Sequence, residues 1–284
     1  MHSHDYKRAA PFAGKRVLVI GGGNSACDVA VETSRVSKHT YISWRRGYYL
    51  IPKFILGEPV DKFYYRHRKW PQWAQLRGLK FLLNLIQGKN SAIGLPEPDH
   101  EIFGSHPTLN SDLYLAIRHG KVLPTGDIDR FDGKTVHFVD GSSREFDTVV
   151  ACTGFKITHP FLDKSVLDLS TSPVRLYEKM IPENLPNLYF IGLFQPLGCI
   201  WPGAELQAKL AARHLAGLWT PKRPLKALID AELADPDVHQ VESPRHTITV
   251  NDMAFRARLK AQIARSKPAP VHRTSPGLAS IAAE

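Results

Sequence analysis

Apolar and polar positions alternate with two different periods along the chain. Residues 16–20, RVLVI, form a short β-branched run closed by three glycines, the pattern of a strand buried on both faces. Residues 24–36 then carry small and apolar side chains at helical spacing, Ala26, Val29, Ala30 and Thr33, so a helix is expected there. A second strand is expected at 40–45. Residues 120–140 read as short strands, because Val136 and Phe138 alternate with polar neighbours between two Asp-Gly turns. Further buried strands are expected at 146–152 and at 187–192, NLYFIG. From Gly203 a helix should run through Leu206, Leu210, Ala211 and Leu215 to Gly217. This alternation of strands and helices predicts an α/β fold.

Two stretches interrupt the alternation. Residues 62–89 interleave aromatics with cations and then become apolar at helical spacing, with Pro71 dividing them into two elements. Residues 91–112 are rich in Pro, Gly and polar side chains, too long for a simple connection, and are expected to line something. His100, His106, Asp99 and Asp112 in that loop read as structural or solvent-facing. Beyond residue 266 the composition is that of a disordered tail.

Composition narrows the class. A chain of 284 residues with 43% hydrophobic content can bury a sizeable core in one large or two modest domains. Three cysteines, Cys27, Cys152 and Cys199, are widely spaced and fit neither a disulfide framework nor a zinc site. The formal charge of +10 comes from basic residues spread along the chain without a nucleic-acid motif, so no nucleic-acid partner is expected. The longest apolar run, near 81–86, falls far short of the ~20 residues of a membrane span, and no cleavable signal is evident; the expected compartment is cytoplasmic. For residues 62–89 a pair of packed helices is the preferred reading, and a peripheral membrane contact is the alternative.

The glycines at 21–23 carry the chemistry. Gly21-Gly22-Gly23-Asn24-Ser25-Ala26 follows a strand and opens a helix, the context of a dinucleotide-binding turn. Gly21 permits the tight turn, Gly23 lets backbone amides approach a pyrophosphate, and Ala26 is the small residue where helix meets strand. The helix start at Asn24 and Ser25 presents unpaired N–H groups and a positive dipole end to the phosphates. A glycine-rich turn without a ligand is the competing reading. About 20 residues on, an NAD or FAD site places an acid against the ribose hydroxyls, whereas an NADP site places Arg. Here the chain reads Ser43-Trp44-Arg45-Arg46, with no acid, so NADPH is favoured, with Arg45 first and Arg46 second as 2′-phosphate ligands.

Together GGGNSACDVA, ISWRRGYYLIP, VVACTGF and NLYFIGLFQPLGCIWPGAELQAKLAARHLAG resemble the flavin-containing monooxygenases in order and spacing, over nearly the whole chain up to the tail. That resemblance implies a Rossmann-like two-dinucleotide-binding flavoprotein fold, with the NADPH domain complete and the FAD domain present only in its C-terminal part. By it, residues 1–12 are a linker, 13–150 the NADPH domain, 151–245 the returning FAD domain, and 246–284 a C-terminal helix and tail. VVACTGF resembles the family's Ala-Thr-Gly-Tyr segment, departing at Cys152 and Phe155, and places Thr153 and Gly154 beside the flavin. Gly192 to Gln207 resembles the region closing over the flavin side. The family's first FAD loop has no counterpart, and His2 and Tyr6 match the second half of its Phe-x-Gly-x-x-x-His-x-x-x-Tyr/Trp motif, so an N-terminally truncated member is expected.

The implied function is an NADPH- and FAD-dependent monooxygenase that uses O₂ and a flavin C4a-(hydro)peroxide to oxygenate a soft N or S nucleophile or a ketone. No catalytic residue and no metal site is assigned. A non-catalytic NADP-binding subunit, completed by a separate FAD-domain half, and a reductase of the same flavoprotein group are the alternatives; no Cys-x-x-Cys or Cys-x-x-x-x-Cys pair supports the latter.

Overall fold

The apolar run at 16–20 is the inner strand β1 (Arg16–Ile20), with Val17, Leu18 and Val19 fully buried. The computed structural model describes residues 1–66, 71–169, 174–185, 187–196, 198–238 and 248–268. The chain divides into two units, Met1–Lys156 and Ile157–Glu284.

In the first unit β1 leads through α1 (Asn24–Thr33) to β2 (His39–Ser43). A segment of short elements follows: β3 (Leu50–Ile51), β4 (Phe54–Ile55), β5 (Glu58–Pro59), α2 (Val60–Arg66), α3 (Gln72–Gln87) and β6 (Thr108–Leu109). Then come α4 (Asp112–Arg118), β7 (Val122–Thr125), β8 (Ile128–Asp132), β9 (Thr135–Phe138), β10 (Ser143–Glu145) and β11 (Thr148–Ala151). The main sheet is parallel in the order β11-β1-β2-β7, so the chain leaves β1 toward one side and returns on the other. That is the strand order of a doubly wound nucleotide fold, with its switch point at the carboxyl end of β1. Arg16 fixes the other end: its backbone N–H and guanidinium donate to Asp147 (2.8 and 2.8 Å) and its Nη1 to Glu145 (2.9 Å), binding the starts of β1 and β11. The same guanidinium holds the Asp147 carboxyl well below the usual carboxylate range.

The short strands expected at 120–140 are present, and β8, β9 and β10 pair as an antiparallel meander, with Val136 and Phe138 buried against Leu18 and Phe146. Pro71 caps α3, and the 62–89 stretch contains parts of the two helices that its sequence suggests. On α3, Leu79 and Leu83 are buried with Ile51 and Ile55, while Trp73, Phe81 and Leu85 stay exposed.

Two elements are shorter than their apolar patterns. α1 stops at Thr33 rather than 36, and the chain closes into a turn in which the Val36 and Ser37 N–H groups both donate to the Thr33 carbonyl (3.1 and 2.9 Å). β2 ends at Ser43, level with the end of β7 at Thr125, where its ladder partner stops.

The second unit is a helical layer, α5 (Trp201–Leu215), α6 (Leu225–Ala234) and α7 (Asp252–Ala264), packed with the hairpin β12 (Leu176–Tyr177) and β13 (Ile181–Pro182) around Met180, Phe194, Leu210 and Phe255. The expected strand at 187–192 is not formed. Its amides are used singly: Phe190 donates to the Met180 carbonyl (3.0 Å) and Gly192, at φ 85°, donates to the Gln207 side chain (2.8 Å), so no ladder runs along it. Most of the stretch expected to be a disordered tail, 269–284, lies outside the described residues.

The turn between β12 and β13 holds Glu178 and Lys179 at φ 47° and 53°, a region ordinarily left to Gly and Asn. It is held from three sides: Gln262 donates to Glu178 (2.7 Å), Arg258 lies 3.3 Å from the same carboxylate, and the Glu178 N–H donates to Glu232 (3.2 Å). Burial, then the neighbouring Glu178 charge, lift Glu232 to about 8. The folded state therefore binds this proton more tightly than the unfolded chain, so the contribution of Glu232 to stability declines as pH rises from the ordinary carboxylate range toward about 8. E232Q is expected to flatten that decline: its melting temperature should match the parent at about pH 4 and exceed it at about pH 8.5. A parallel pH profile for the two proteins in a thermal melt would contradict this.

Candidate functional site

The first unit places the glycine turn at the carboxyl end of β1. Gly21 stands at φ 125°, and a side chain there would begin 2.5 Å from the Cys152 carbonyl oxygen. Its N–H donates to the Ser43 carbonyl (3.0 Å), which ties the turn to the end of β2. Gly22 is buried under the Tyr48 ring, which occupies the space of a side chain at 2.3 Å and meets Trp44 edge to face at 5.4 Å. Gly23 is the extended cap residue of α1, whose first turn carries no acidic residue. Asn24 and Ser25 are exposed, and Ala26 is fully buried against the sheet. The N–H groups of this first turn have no intrahelical carbonyl to bind, and the helix dipole adds positive potential at the same point.

Sequence reasoning missed what holds the turn in place. Thr108, 1% exposed, donates its hydroxyl to the Gly22 carbonyl (2.7 Å), and the Leu109 N–H donates to the Asn24 side chain (2.7 Å). Asn110 donates to Asp28 on α1 (2.9 Å) while its own oxygen accepts from Asp112 and Leu113 at the start of α4. The long 91–112 loop thus ends in a clamp over the glycine turn. The one signal for this in the sequence was the loop's length.

At the end of β2 the Ser43 hydroxyl donates to the Gly126 carbonyl (2.8 Å), and the exposed Arg45 and Arg46 follow. Arg45 forms part of the wall of a cavity of about 480 Å³ with Trp44, Thr125, Gly126, Ser142 and Arg144. Arg46 lies close enough to Asp99 to help its hydrogen bond with His100 hold that carboxyl low. Arg144, which the sequence did not single out, arrives from the antiparallel meander and lies 5.3 Å over the Tyr41 ring. Two acids, Asp127 and Asp140, also line the cavity; Asp127 accepts from Ile128 and Asp140 from Ser142. A close-approach glycine turn, a bare helix start and guanidiniums one strand away fit a dinucleotide that carries an extra phosphate.

The residues assigned to the flavin side fall in different units. Thr153 and Gly154 are exposed beyond β11, with the Gly154 carbonyl accepting from His2 (3.0 Å) and Gly154 at φ 96°. Gly192 and Gln207 belong to the second unit. Gln207 is fully buried and both ends of its amide are taken, the oxygen by Gly192 N–H and the nitrogen by the Glu178 carbonyl (2.9 Å). Among the described residues a second glycine-rich strand-to-helix turn does not occur, so the groups present do not by themselves make a phosphate cradle for FAD. No group of His, Cys, Asp and Glu suited to a metal occurs among the described residues.

The family model described as Flavin-binding monooxygenase-like matches residues 1–271. Flavin-containing monooxygenase 5 of Homo sapiens is 38% identical over 258 residues, covering 87% of this chain and 48% of that protein. Among solved structures, S-allyl-L-cysteine S-oxygenase from Allium sativum superposes with a TM-score of 0.58 at 21% identity, covering 95% of this chain and 49% of the other. OTEMO in complex with FAD and NADP gives 0.62 at 14% identity, covering 92% and 68%. The chain spans about half the length of the curated relatives it matches. The structural likenesses establish the two-dinucleotide flavoprotein fold over part of its extent, and the match along residues 1–271 settles the kinship: the chain belongs to the flavin-binding monooxygenase-like family.

Proposed function

We propose that the chain is the NADPH-binding portion, residues 13–150, and the C-terminal part of the FAD domain, residues 151–245, of an NADPH- and FAD-dependent monooxygenase acting with O₂ on a soft N or S nucleophile or a ketone. The observation that carries this reading is the joining of a clamped glycine turn at the start of α1 to Arg45 at the end of the next strand. Bound nicotinamide supplies hydride and bound flavin supplies oxygen chemistry. The chain's own residues bind and orient. The Gly23–Ala26 backbone receives the pyrophosphate, Thr108 fixes the Gly22 carbonyl so that the adjoining amides keep their direction, and Arg45 with Arg46 receives the 2′-phosphate. Thr153, Gly154, Gly192 and Gln207 are assigned to the flavin side by family likeness. Three free cysteines and the use of NADPH suit a cytoplasmic setting.

Among the described residues no helix is long and apolar enough to cross a membrane. The exposed Trp73, Phe81 and Leu85 lie on α3 with Arg77 and Lys80, in a helix without an acidic residue, and we assign this face to a peripheral contact with anionic lipid.

R45A is expected to lose about 1.5 to 3 kcal/mol of NADPH binding with NADH binding unchanged, read by isothermal titration; equal losses for the two nucleotides would remove Arg45 from the 2′-phosphate. Sedimentation with vesicles containing phosphatidylserine should pull down the parent chain and markedly less of an F81S/L85S variant, and equal pull-down would withdraw the lipid contact.

A further inference from the structure

Three carboxylates from three segments meet around the turn between β12 and β13. Glu178 belongs to the turn and is 2% exposed, Glu232 comes from α6, and Asp237 follows that helix. Among the described residues the cations facing them are Arg258 of α7 and Lys179 of the turn, with Tyr177 beside the same acids and Arg265 beyond it. Arg258 is divided between two of the acids, its Nη1 donating to Asp237 (2.6 and 2.7 Å) and its Nε lying 3.3 Å from Glu178. Glu178 also accepts from Gln262 (2.7 Å), whose own oxygen accepts from the Tyr177 hydroxyl (3.0 Å). Glu232 is met by a backbone donor, the Glu178 N–H, 3.2 Å from both its oxygens. Three acids against two cations balance with one proton, and burial together with the Glu178 charge places that proton on Glu232.

The same turn is tied to a distant segment. Glu178 at φ 47° and Lys179 at φ 53° keep a conformation that only their surroundings enforce. The Glu178 carbonyl accepts from the Gln207 side chain (2.9 Å), and the oxygen of that fully buried amide accepts from the Gly192 N–H (2.8 Å). One peptide unit on each side of Glu178 thus leads in a different direction, the N–H to Glu232 and the carbonyl, through Gln207, to Gly192. With no water at the Gln207 amide to replace a lost partner, a shift of the turn is passed on to Gly192.

We infer that this turn is a proton-dependent latch on the 187–192 segment: with Glu232 neutral it holds Gly192 through Gln207, and loss of the proton sets Glu232 against Glu178 and releases Gly192. Ionised Glu232 is a carboxylate beside Glu178 with no further cation to share, and the strained turn is the part that yields. The latch goes beyond the nucleotide and flavin assignments and does not depend on them.

In the full chain labelled with ¹⁵N, the amide signals of Glu178 and Gly192 should titrate together with a shared midpoint at about pH 8, the Gly192 proton moving upfield as its hydrogen bond is lost. E232Q should leave both signals flat over the same range. Q207M, which keeps the length of the side chain and removes its amide, should leave Glu178 titrating and silence Gly192, and does not depend on how E232Q folds. Flat signals in the parent, a Gly192 signal that stays still while Glu178 moves, or a titration retained in E232Q would overturn the latch. Gly192 titrating in Q207M as in the parent would overturn its route through Gln207.

Discussion

Everything in the first unit depends on how closely β1 and the segment after β11 approach at Gly21. The Cys152 N–H donates to the Ile20 carbonyl (2.8 Å), and the Cys152 oxygen then lies where a side chain at Gly21 would begin. On the other side the Gly21 N–H reaches the Ser43 carbonyl (3.0 Å). The chain must therefore leave the sheet at that residue, at a positive φ, and does so straight into α1. A helix start is thereby fixed at the carboxyl edge of the sheet, where β2 and β11 flank β1 on opposite sides. Unpaired amides and the helix dipole converge there, which is why the proposed phosphate site falls at that edge of the sheet.

The parts of this arrangement written in local sequence were legible. A β-branched run followed by three glycines specifies a strand, a turn and a helix within a few residues, and the two Asp-Gly turns specify the meander that delivers Arg144. The clamp was not legible. Thr108 and Asn110 come from a loop without periodicity, and their partners Gly22 and Asp28 lie 86 and 82 residues away in sequence, so only tertiary contact reveals them. NLYFIG shows the opposite failure: its composition favours a strand, yet a strand exists only with a neighbour to complete its ladder, and here Gly192 and Phe190 spend their amides on Gln207 and Met180.

The second unit carries a different constraint. Gln207, wholly buried in α5, joins the 187–192 segment to the strained turn at Glu178, and that turn is held in place by Arg258, Gln262 and Glu232. Polar groups thus do the positioning around a short two-stranded hairpin, at the expense of burying acids whose protonation depends on pH.

The central claim is that the α1 start receives the pyrophosphate and the end of β2 distinguishes the 2′-phosphate. Amide chemical-shift mapping of the full chain, titrated first with NAD⁺ and then with NADP⁺, tests both halves at once. Large shifts at Gly23–Ala26 with either nucleotide, joined by shifts at Trp44–Arg46 with NADP⁺ alone, are the predicted result. Unmoved amides at Gly23–Ala26, or identical responses of Trp44–Arg46 to the two nucleotides, would contradict it.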